Sequence, residues 1–401
     1  MSSPLPPQVK QMGWISFFAD ICSEMVYPVI PLFLRGALKA PAVALGLVEG
    51  VAEGIVSFMK GWSGMHSDRT GKRLPYIRWG YGLSAIGKPL LALAYAWPMV
   101  LVGRVVDRFG KGLRTTARDA LIADSVETED LGRAFGFHRA MDTAGALVGV
   151  FLGFVLLALL PGEFRLIFVL AGIPGAFAVL LTLRLREPFR FKSDAATLEP
   201  ESSGGMAESL RGLPQAYWHA FWLSILFALA NTSDMFLMAR ATDLGLAPTS
   251  VILAYAMYNV TYTALSYPMG ALSDRIGRWP VVGGGWIIYA LVYIGFAMIG
   301  PGQAIALWPL FAVYGIYQAM AQGATKALVA EHSPKNRRGA ALGFFYMASG
   351  FATIGGNLIA GLLWDRVSPA AAFYTGGGLA LLSALAIPFV IRTSKRSTLN
   401  T

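Results

Sequence analysis

The segment Gly64-Met-His-Ser-Asp68-Arg69-Thr-Gly71-Lys72-Arg73 returns later in the chain as Gly270-Ala-Leu-Ser-Asp274-Arg275-Ile-Gly277-Arg278, a shift of 206 residues. A second pair of segments keeps almost the same spacing, because Ala120-Leu-Ile-Ala-Asp124 returns as Ala327-Leu-Val-Ala-Glu331, a shift of 207 residues. Matches at one near-constant offset indicate an internal duplication. The sequence therefore predicts two homologous halves.

The chain around these segments is too apolar for a soluble domain. It has 401 residues, of which 55% are hydrophobic and 14% charged, whereas soluble domains carry about 25% charged residues. Residues 279–325 contain no charge and are interrupted only by Pro301-Gly302-Gln303, so they predict two membrane helices joined by a tight turn. Membrane β-barrels show short alternating segments instead. The predicted fold class is an all-α membrane protein.

We predict twelve transmembrane helices in two pseudo-symmetric six-helix bundles. The first bundle takes residues 1–186, a polar cytoplasmic linker takes 187–213, and the second bundle takes 214–401. The helices are placed at about 12–36, 43–66, 75–96, 98–124, 132–160, 164–185, 215–243, 249–272, 279–300, 303–330, 339–365 and 369–392.

Arginine and lysine crowd every second connection between these helices, as in the loop at Arg69, Lys72 and Arg73 and in the tail at Arg392 and Lys395. The positive-inside rule then places both termini in the cytoplasm of a multi-pass protein in a bacterial-type cytoplasmic (inner) membrane. The net charge of +10 is explained by this orientation, so we expect no nucleic acid partner.

The sequence shows no pattern typical of an enzyme or a metal site. The single Cys22 and four scattered histidines form no ligand motif, and no Ser/His/Asp arrangement is present. Asp107-Arg-Phe-Gly-Lys111-Gly112 lacks the spacing of a phosphate-binding loop. We expect no catalytic residues and no cofactor.

The repeated Gly-x-x-x-Asp-Arg-x-Gly-Arg/Lys segments resemble the signature loop of the major facilitator superfamily, and the resemblance covers the whole chain. It implies two bundles around a central cavity, with the loops bracing a gate. In each loop the aspartate of the motif would cap a neighbouring helix, and the arginine of the motif would meet an acid at the end of helix 4 or 10. The gate residues on this basis are Gly64, Asp68, Arg69, Gly71, Lys72, Arg73, Asp124, Gly270, Asp274, Arg275, Gly277, Arg278 and Glu331. Such ion pairs must break when the halves rock.

Predicted helix 4 carries an unusual number of charges for a membrane segment, where each ionisable residue costs about 2.5–3.5 kcal/mol on insertion scales. Its charged residues share one face: Arg104, Asp107, Arg108, Lys111, Arg114, Arg118 and Asp119. The resemblance implies that helices 1, 4, 7 and 10 line the cavity. The predicted substrate-cavity residues are Arg108, Lys111, Arg114, Arg118, Asn231, Tyr258, Asn259 and Gln318.

Acids in helices 1 and 7 are the candidates for coupling to protons or cations. Asp20 and Glu24 lie one turn apart, and Ser23-Glu24-Met25 resembles the stretch Ser233-Asp234-Met235. We interpret Asp20, Glu24 and Asp234 as coupling residues.

The remaining membrane charges allow two interpretations. Glu49, Glu53, Arg139 and Asp142 are possible gating residues. Alternatively, acids and bases neutralise one another in structural pairs, since Asp107–Lys111 and Arg139–Asp142 have helical pair spacing.

Three functions are compatible with the sequence. The chain looks most like the drug:proton antiporter-like exporters, and Gly145-x-x-x-Gly149-Val150-x-x-Gly153 is similar to their signature in helix 5, with Val150 in place of proline. This resemblance favours proton-coupled export of a small amphipathic organic molecule by a monomer embedded in the lipid bilayer. The alternatives are a proton- or sodium-coupled symporter for organic anions, and a lipid-handling or non-transporting sensor protein.

Overall fold

The computed structural model of the protein describes residues 5–70, 72–126, 131–187, 210, 212–333 and 338–399, and every regular element within these ranges is helical. The twelve predicted helices are confirmed. In chain order they are α1 (Pro7–Val26, Val29–Leu32 and a π-helical turn Phe33–Ala37), α2 (Ala42–Thr70), α3 (Leu74–Ala92), α4 (Trp97–Ala123), α5 (Leu131–Leu159), α6 (Phe164–Thr182), α7 (Gln215–Ala230 and Asp234–Asp243), α8 (Pro248–Ile276), α9 (Arg278–Met298), α10 (Leu307–Glu331), α11 (Arg338–Arg366) and α12 (Pro369–Leu399).

Nine of these helices are long and apolar enough to cross a membrane, judged within the described ranges by length and composition. The three that fall short are α3, α4 and α8. In α4 seven of the 27 residues are charged. A membrane helix of this kind needs partners for its charges within the protein.

Two predicted helices are interrupted, which corrects the continuous helices expected at 12–36 and 215–243. In α1 the regular helix ends at Val26, and Pro28 and Pro31 lie just beyond this end. Proline has no N–H, and its ring clashes with the carbonyl of the residue four positions earlier. In α7 the break comprises Asn231, Thr232 and Ser233, all short polar residues that compete for backbone hydrogen bonds.

Contacts divide the chain into two units. The first comprises Met1–Ala40 and Val51–Glu199, and the second comprises Pro41–Gly50 and Pro200–Thr401. Pro41 and the first nine residues of α2 therefore group with the second unit. The predicted linker 187–213 lies outside the described residues, apart from Glu187, Leu210 and the stretch from Gly212.

Glycines let the helices of the first unit approach closely. A Cβ atom placed on Gly110 in α4 would lie 2.5 Å from the carbonyl oxygen of Gly80 in α3, which is closer than real Cβ atoms come. The predicted glycine stripe of α5 acts likewise against α1, since a Cβ on Gly145 would overlap the carbonyl oxygen of Phe17. The first of these contacts fixes the distance from α4 to α3, and therefore the positions of the α4 charges.

Gly110→Ala is expected to destabilise the protein by about 1–3 kcal/mol, because the added methyl group overpacks the α3–α4 contact. Gly82→Ala is the matched control in α3, since a Cβ there has nothing within 4 Å. The midpoint of thermal unfolding, followed by tryptophan fluorescence of the purified protein, should fall only for Gly110→Ala. Equal midpoints for the two variants would show that the contact is not tight.

Candidate functional site

The gate motif of the first unit is held by two acids. The Nε atom of Arg73 lies 3.5 Å from Oδ2 of Asp124, and its Nη1 donates a hydrogen bond of 2.8 Å to Ser67. Glu187 accepts hydrogen bonds of 2.8 Å from the backbone N–H groups of both Arg73 and Leu74, at the start of α3. Glu187 was not predicted from the sequence, because 114 residues separate it from Arg73 and no spacing rule connects them.

The motif of the second unit has a comparable contact, made by Arg278, which lies at the repeat position of Lys72. Nη1 of Arg278 lies 3.2 Å from Oε2 of Glu331, so in both units the last basic residue of the motif pairs with the expected acid. Gly277 turns the chain between α8 and α9 with φ of 91°, a conformation that favours glycine.

The other motif residues make few described contacts. Lys72 and Arg275 are exposed, a Cβ on Gly64 would meet Thr116, and Gly270 borders open space. Gly71 and the side chains of Asp68, Arg69 and Asp274 lie outside the described part of the structure. The role of the motif in gating stays a prediction.

A buried charge cluster joins α3 to α4 in the first unit. Oδ1 of Asp107 lies 2.5 Å from Nζ of Lys88 and accepts a hydrogen bond of 2.5 Å from Ser84, while its Oδ2 lies 3.3 Å from Arg104. The predicted Asp107–Lys111 pair is therefore wrong. The close glycine contacts between α3 and α4 bring Lys88 of α3 next to Asp107 of α4. Asp107 therefore pairs across the two helices and not with Lys111 on the next turn of α4.

Other α4 cations pair separately. Nη2 of Arg108 lies 3.6 Å from Oε1 of Glu53 in α2, and Nη2 of Arg118 lies 2.8 Å from its neighbour Asp119. Glu49 is buried in the part of α2 that groups with the second unit.

The predicted coupling acids of α1 lie near the cationic face of α4. Asp20 and Glu24 are both half-buried. Asp20 is close enough to interact electrostatically with Lys111 and Arg114, and with the acids Glu24 and Asp142. The structure thus brings predicted coupling residues and predicted cavity residues together within the first unit.

A hydrogen-bonded group around His138 connects three helices. Ser16 of α1 lies 2.6 Å from Nε2 of His138 in α5 and 3.2 Å from the hydroxyl of Tyr81 in α3. Asp142 lies 4.0 Å from His138 and 3.9 Å from Arg139, so the predicted Arg139–Asp142 pair is present. His138 was not predicted as a site residue, because a lone histidine on a membrane helix has no local pattern.

In the second unit, tyrosines supply hydrogen bonds to the break in α7. The hydroxyl of Tyr289 donates to the carbonyl of Ala230 at 2.7 Å and accepts from the N–H of Thr232 at 3.2 Å. The hydroxyl of Tyr293 lies 2.8 Å from Oγ1 of Thr232. Buried backbone groups that a helix break frees must find such partners.

The break in α7 leaves a carboxylate at the beginning of the second segment of this helix. Asp234 is the first residue of that segment, and its Oδ1 accepts a hydrogen bond of 2.7 Å from Tyr314 of α10. Tyr317 donates in the same way to Asn231 at 3.1 Å. Acidic residues are stabilised in the first turn of a helix.

The remaining predicted cavity residues of the second unit lie on α8 and α10. Gln318 donates a hydrogen bond of 3.2 Å to the hydroxyl of Tyr258, which is buried against Tyr314 and Tyr262. Asn259 donates to a carbonyl of its own helix, so its amide is engaged locally.

Metal ligands are not grouped among the described residues. No set of three or more histidine, cysteine, aspartate or glutamate side chains there has an arrangement that could hold a metal ion.

Two helical units with paired loop motifs and charged membrane helices define a polytopic transporter fold. A family profile described as Major Facilitator Superfamily matches residues 12–241 and 235–401. The chain belongs to the major facilitator superfamily of membrane transporters.

Relatives and solved structures agree with this assignment. An uncharacterised MFS-type transporter of Methanocaldococcus jannaschii is 33% identical over 392 residues, covering 96% of this chain and 95% of the relative. The multidrug resistance protein MdtH of Cronobacter sakazakii is 25% identical over 344 residues, covering 85% and 82%. The crystal structure of the nucleoside transporter NupG has a TM-score of 0.74 at 15% identity, covering 96% of this chain and 99% of that one, which supports the fold alone.

Asp107→Asn is expected to destabilise the protein by about 3–5 kcal/mol, because it removes the carboxylate shared by Lys88 and Arg104 in a buried site. Lys88→Met should cost less, since Asp107 keeps Arg104, and the double variant should recover part of the loss. The thermal unfolding midpoint of the purified protein checks this order, with Lys10→Met, an exposed lysine, as the control. If Lys88→Met were as damaging as Asp107→Asn, the assignment of Arg104 to this cluster would be wrong.

Tyr289→Phe is expected to cost about 1–3 kcal/mol, because it removes the hydroxyl that binds the Ala230 carbonyl and the Thr232 N–H at the α7 break, and these two buried groups keep only their 3.0 Å contact with each other. Tyr374→Phe is the control, since that side chain is 49% exposed. Amide hydrogen exchange over residues 228–236 should also increase in Tyr289→Phe alone. Unchanged exchange there would mean that the break does not depend on the tyrosine.

Proposed function

We propose that this transporter exports small amphipathic organic molecules in exchange for protons, working by alternating access with both termini in the cytoplasm. The proposal takes up the drug-exporter resemblance of the sequence, and the relative named multidrug resistance protein MdtH supports it. It treats the proton as the coupling ion and requires no bound cofactor.

The observation that carries the proposal is the placement of Asp20 on α1 opposite the cations of α4. Lys111 and Arg114 both act electrostatically on Asp20, and Glu24 lies within reach of the same carboxylate. The proton affinity of a carboxyl group depends on its burial and on nearby charges. A movement that changes the distance from Asp20 to Lys111 or Arg114 therefore binds or releases a proton.

This exchange has enough driving force for export. One elementary charge that crosses the membrane is worth about 2.3 kcal/mol per 100 mV. A stoichiometry of one proton would support accumulation of about fiftyfold at that potential, since about 1.4 kcal/mol is a factor of ten.

The second unit offers a different chemical surface for the organic part of the substrate. Tyr258, Tyr314 and Tyr317 combine aromatic faces with hydroxyl groups, and Asn231 and Gln318 add amide groups. Aromatic and amide groups of this kind suit ligands that are partly apolar and partly polar. In this proposal Asp234, held by Tyr314, is a second candidate for proton binding.

The test begins with a search for ligands by thermal stability. Binding to the native state raises the unfolding midpoint by mass action, so a chemically diverse panel at pH 6 and pH 8 identifies ligands even while the substrate is unidentified. Proteoliposomes with an imposed pH gradient then measure transport of each ligand and the accompanying proton flux. Sodium gradients of the same size distinguish proton from sodium coupling.

Glu24→Gln and Asp20→Asn are expected to reduce ligand-dependent proton flux about tenfold or more, because each removes a carboxyl group that can carry the proton. Glu163→Gln, which changes an exposed acid between α5 and α6, should behave like the wild type.

Full proton-coupled transport by Glu24→Gln would exclude Glu24 as the coupling residue. Ligand uptake along the proton gradient, rather than against it, would favour the symporter instead.

A further inference from the structure

The first unit contains a small cavity in which α1, α3, α4 and α6 each contribute lining residues. The empty space between its lining atoms is about 170 Å³ with its open side included. That is room for one small polar group. The side chains that matter for its chemistry are Arg114, Lys88, Tyr81, Ser84 and Cys22.

Lys88 already has partners in this cavity. Its Nζ atom lies 2.5 Å from Asp107 and donates to the carbonyl and the hydroxyl of Ser84 at 2.9 and 3.1 Å. The positive charge of Lys88 is therefore neutralised by the α3–α4 cluster. It has no spare hydrogen for a ligand, because an ammonium group has three.

Arg114 differs from Lys88. Its guanidinium lies over the ring of Tyr81 at 4.1 Å, it is 3% exposed, and its Nε atom is buried without a hydrogen-bond partner. Among the described residues no carboxylate lies within salt-bridge distance of Arg114, although the charge of Asp20 acts on it from farther away.

A buried arginine of this kind is strongly destabilising unless an anion pairs with it. The fixed fork of the guanidinium matches a carboxylate better than it matches a halide or a neutral amide. The ring of Tyr81 holds the fork in place beforehand, which reduces the conformational entropy lost when a ligand binds.

We propose that this cavity binds a carboxylate group, with Arg114 as its principal partner, and that the molecules transported are amphipathic carboxylates whose organic part extends from the open side. This inference rests on the proposed function and names the substrate class for it. The carboxylate could belong to a transported organic acid or to a simple anion from solution, and the experiment separates these two sources.

Cys22 can report on ligand binding in this cavity, because it lines the cavity and is the single cysteine of the chain. Iodoacetate and iodoacetamide alkylate the same thiol and differ chiefly in that the first carries a carboxylate. The ratio of their rates at Cys22, divided by the ratio for free cysteine, measures the preference of the cavity for a carboxylate. Purified full-length protein without any gradient is sufficient.

The ratio at Cys22 is expected to be about tenfold or more higher in the wild type than in Arg114→Gln, as charge-assisted hydrogen bonds to a buried arginine imply. Arg165→Gln is the matched control: Arg165 stacks on Tyr95 at 4.3 Å in the same unit but does not line the cavity. Octanoate at constant ionic strength should slow the alkylation of Cys22 in the wild type and in Arg165→Gln, and it should have no effect in Arg114→Gln.

The outcomes separate the alternatives. Equal ratios in wild type and Arg114→Gln would overturn the proposal. Protection by acetate and chloride as strong as that by octanoate would show a site for simple anions, and would overturn the assignment of organic acids as substrates.

Two further measurements cover the failures of the main experiment. If Cys22 does not react in the native protein, thermal stabilisation by octanoate compared with octylamine, in the same three proteins, gives the decision. If Arg114→Gln does not fold, Arg114→Lys keeps the charge and loses the fork, and it should show a lower ratio than the wild type.

The proposed function fails separately from this inference. Carboxylate preference that depends on Arg114, without proton-coupled transport in proteoliposomes, would leave the site in place and exclude the exporter. Proton-coupled transport of ligands whose binding does not depend on Arg114 would support the exporter and exclude the carboxylate site.

Discussion

A polar group inside a bilayer has no water to bond with, so each one must find its partner within the protein. This constraint explains the features that set this chain apart from a simple bundle of apolar helices. At the break in α7 the hydroxyls of Tyr289 and Tyr293 take up backbone groups that the broken helix frees. In α4 the carboxylate of Asp107 neutralises Lys88 and Arg104 together. Structure and stability in both units depend on these partners.

The two units satisfy the constraint by different means. The first uses charges: acids and bases of α1, α2, α3, α4 and α5 lie close enough to influence one another, as Asp20, Lys111 and Asp142 do. The second relies more on hydrogen bonds from tyrosine hydroxyls, which hold Asn231 and the carboxylate of Asp234. A charged network responds to protons and to anions, because its energy depends on every charge within it. A network of tyrosines offers apolar surface with a few fixed polar groups.

Among the buried cations, Arg114 occupies a special position. Arg108 has Glu53, and Lys88 and Arg104 share Asp107, whereas the contact described for Arg114 is the ring of Tyr81. A cation–π contact contributes about 2 kcal/mol or more when it is desolvated, which is less than the cost of burying an unpaired ion. In our proposal an anionic ligand offsets this cost, and its binding is linked to the electrostatics of Asp20, since both carboxylates act on the same arginine. An anion bound at Arg114 and a proton bound at Asp20 would therefore influence each other.

The sequence by itself determined the duplication, the number of membrane helices and the superfamily, because each of these has a local or periodic pattern along the chain. It also identified α4 as the charged helix. Only the tertiary structure decided which charges meet: Asp107 pairs with Lys88 across the glycine contact of α3 and α4, not with Lys111 one turn away. Glu187, His138 and the tyrosine contacts at the α7 break likewise had no signal in the sequence. The energy of an ion pair inside a membrane changes when the distance between its charges changes by a few tenths of an ångström. The packing of the helices that carry the two charges sets this distance.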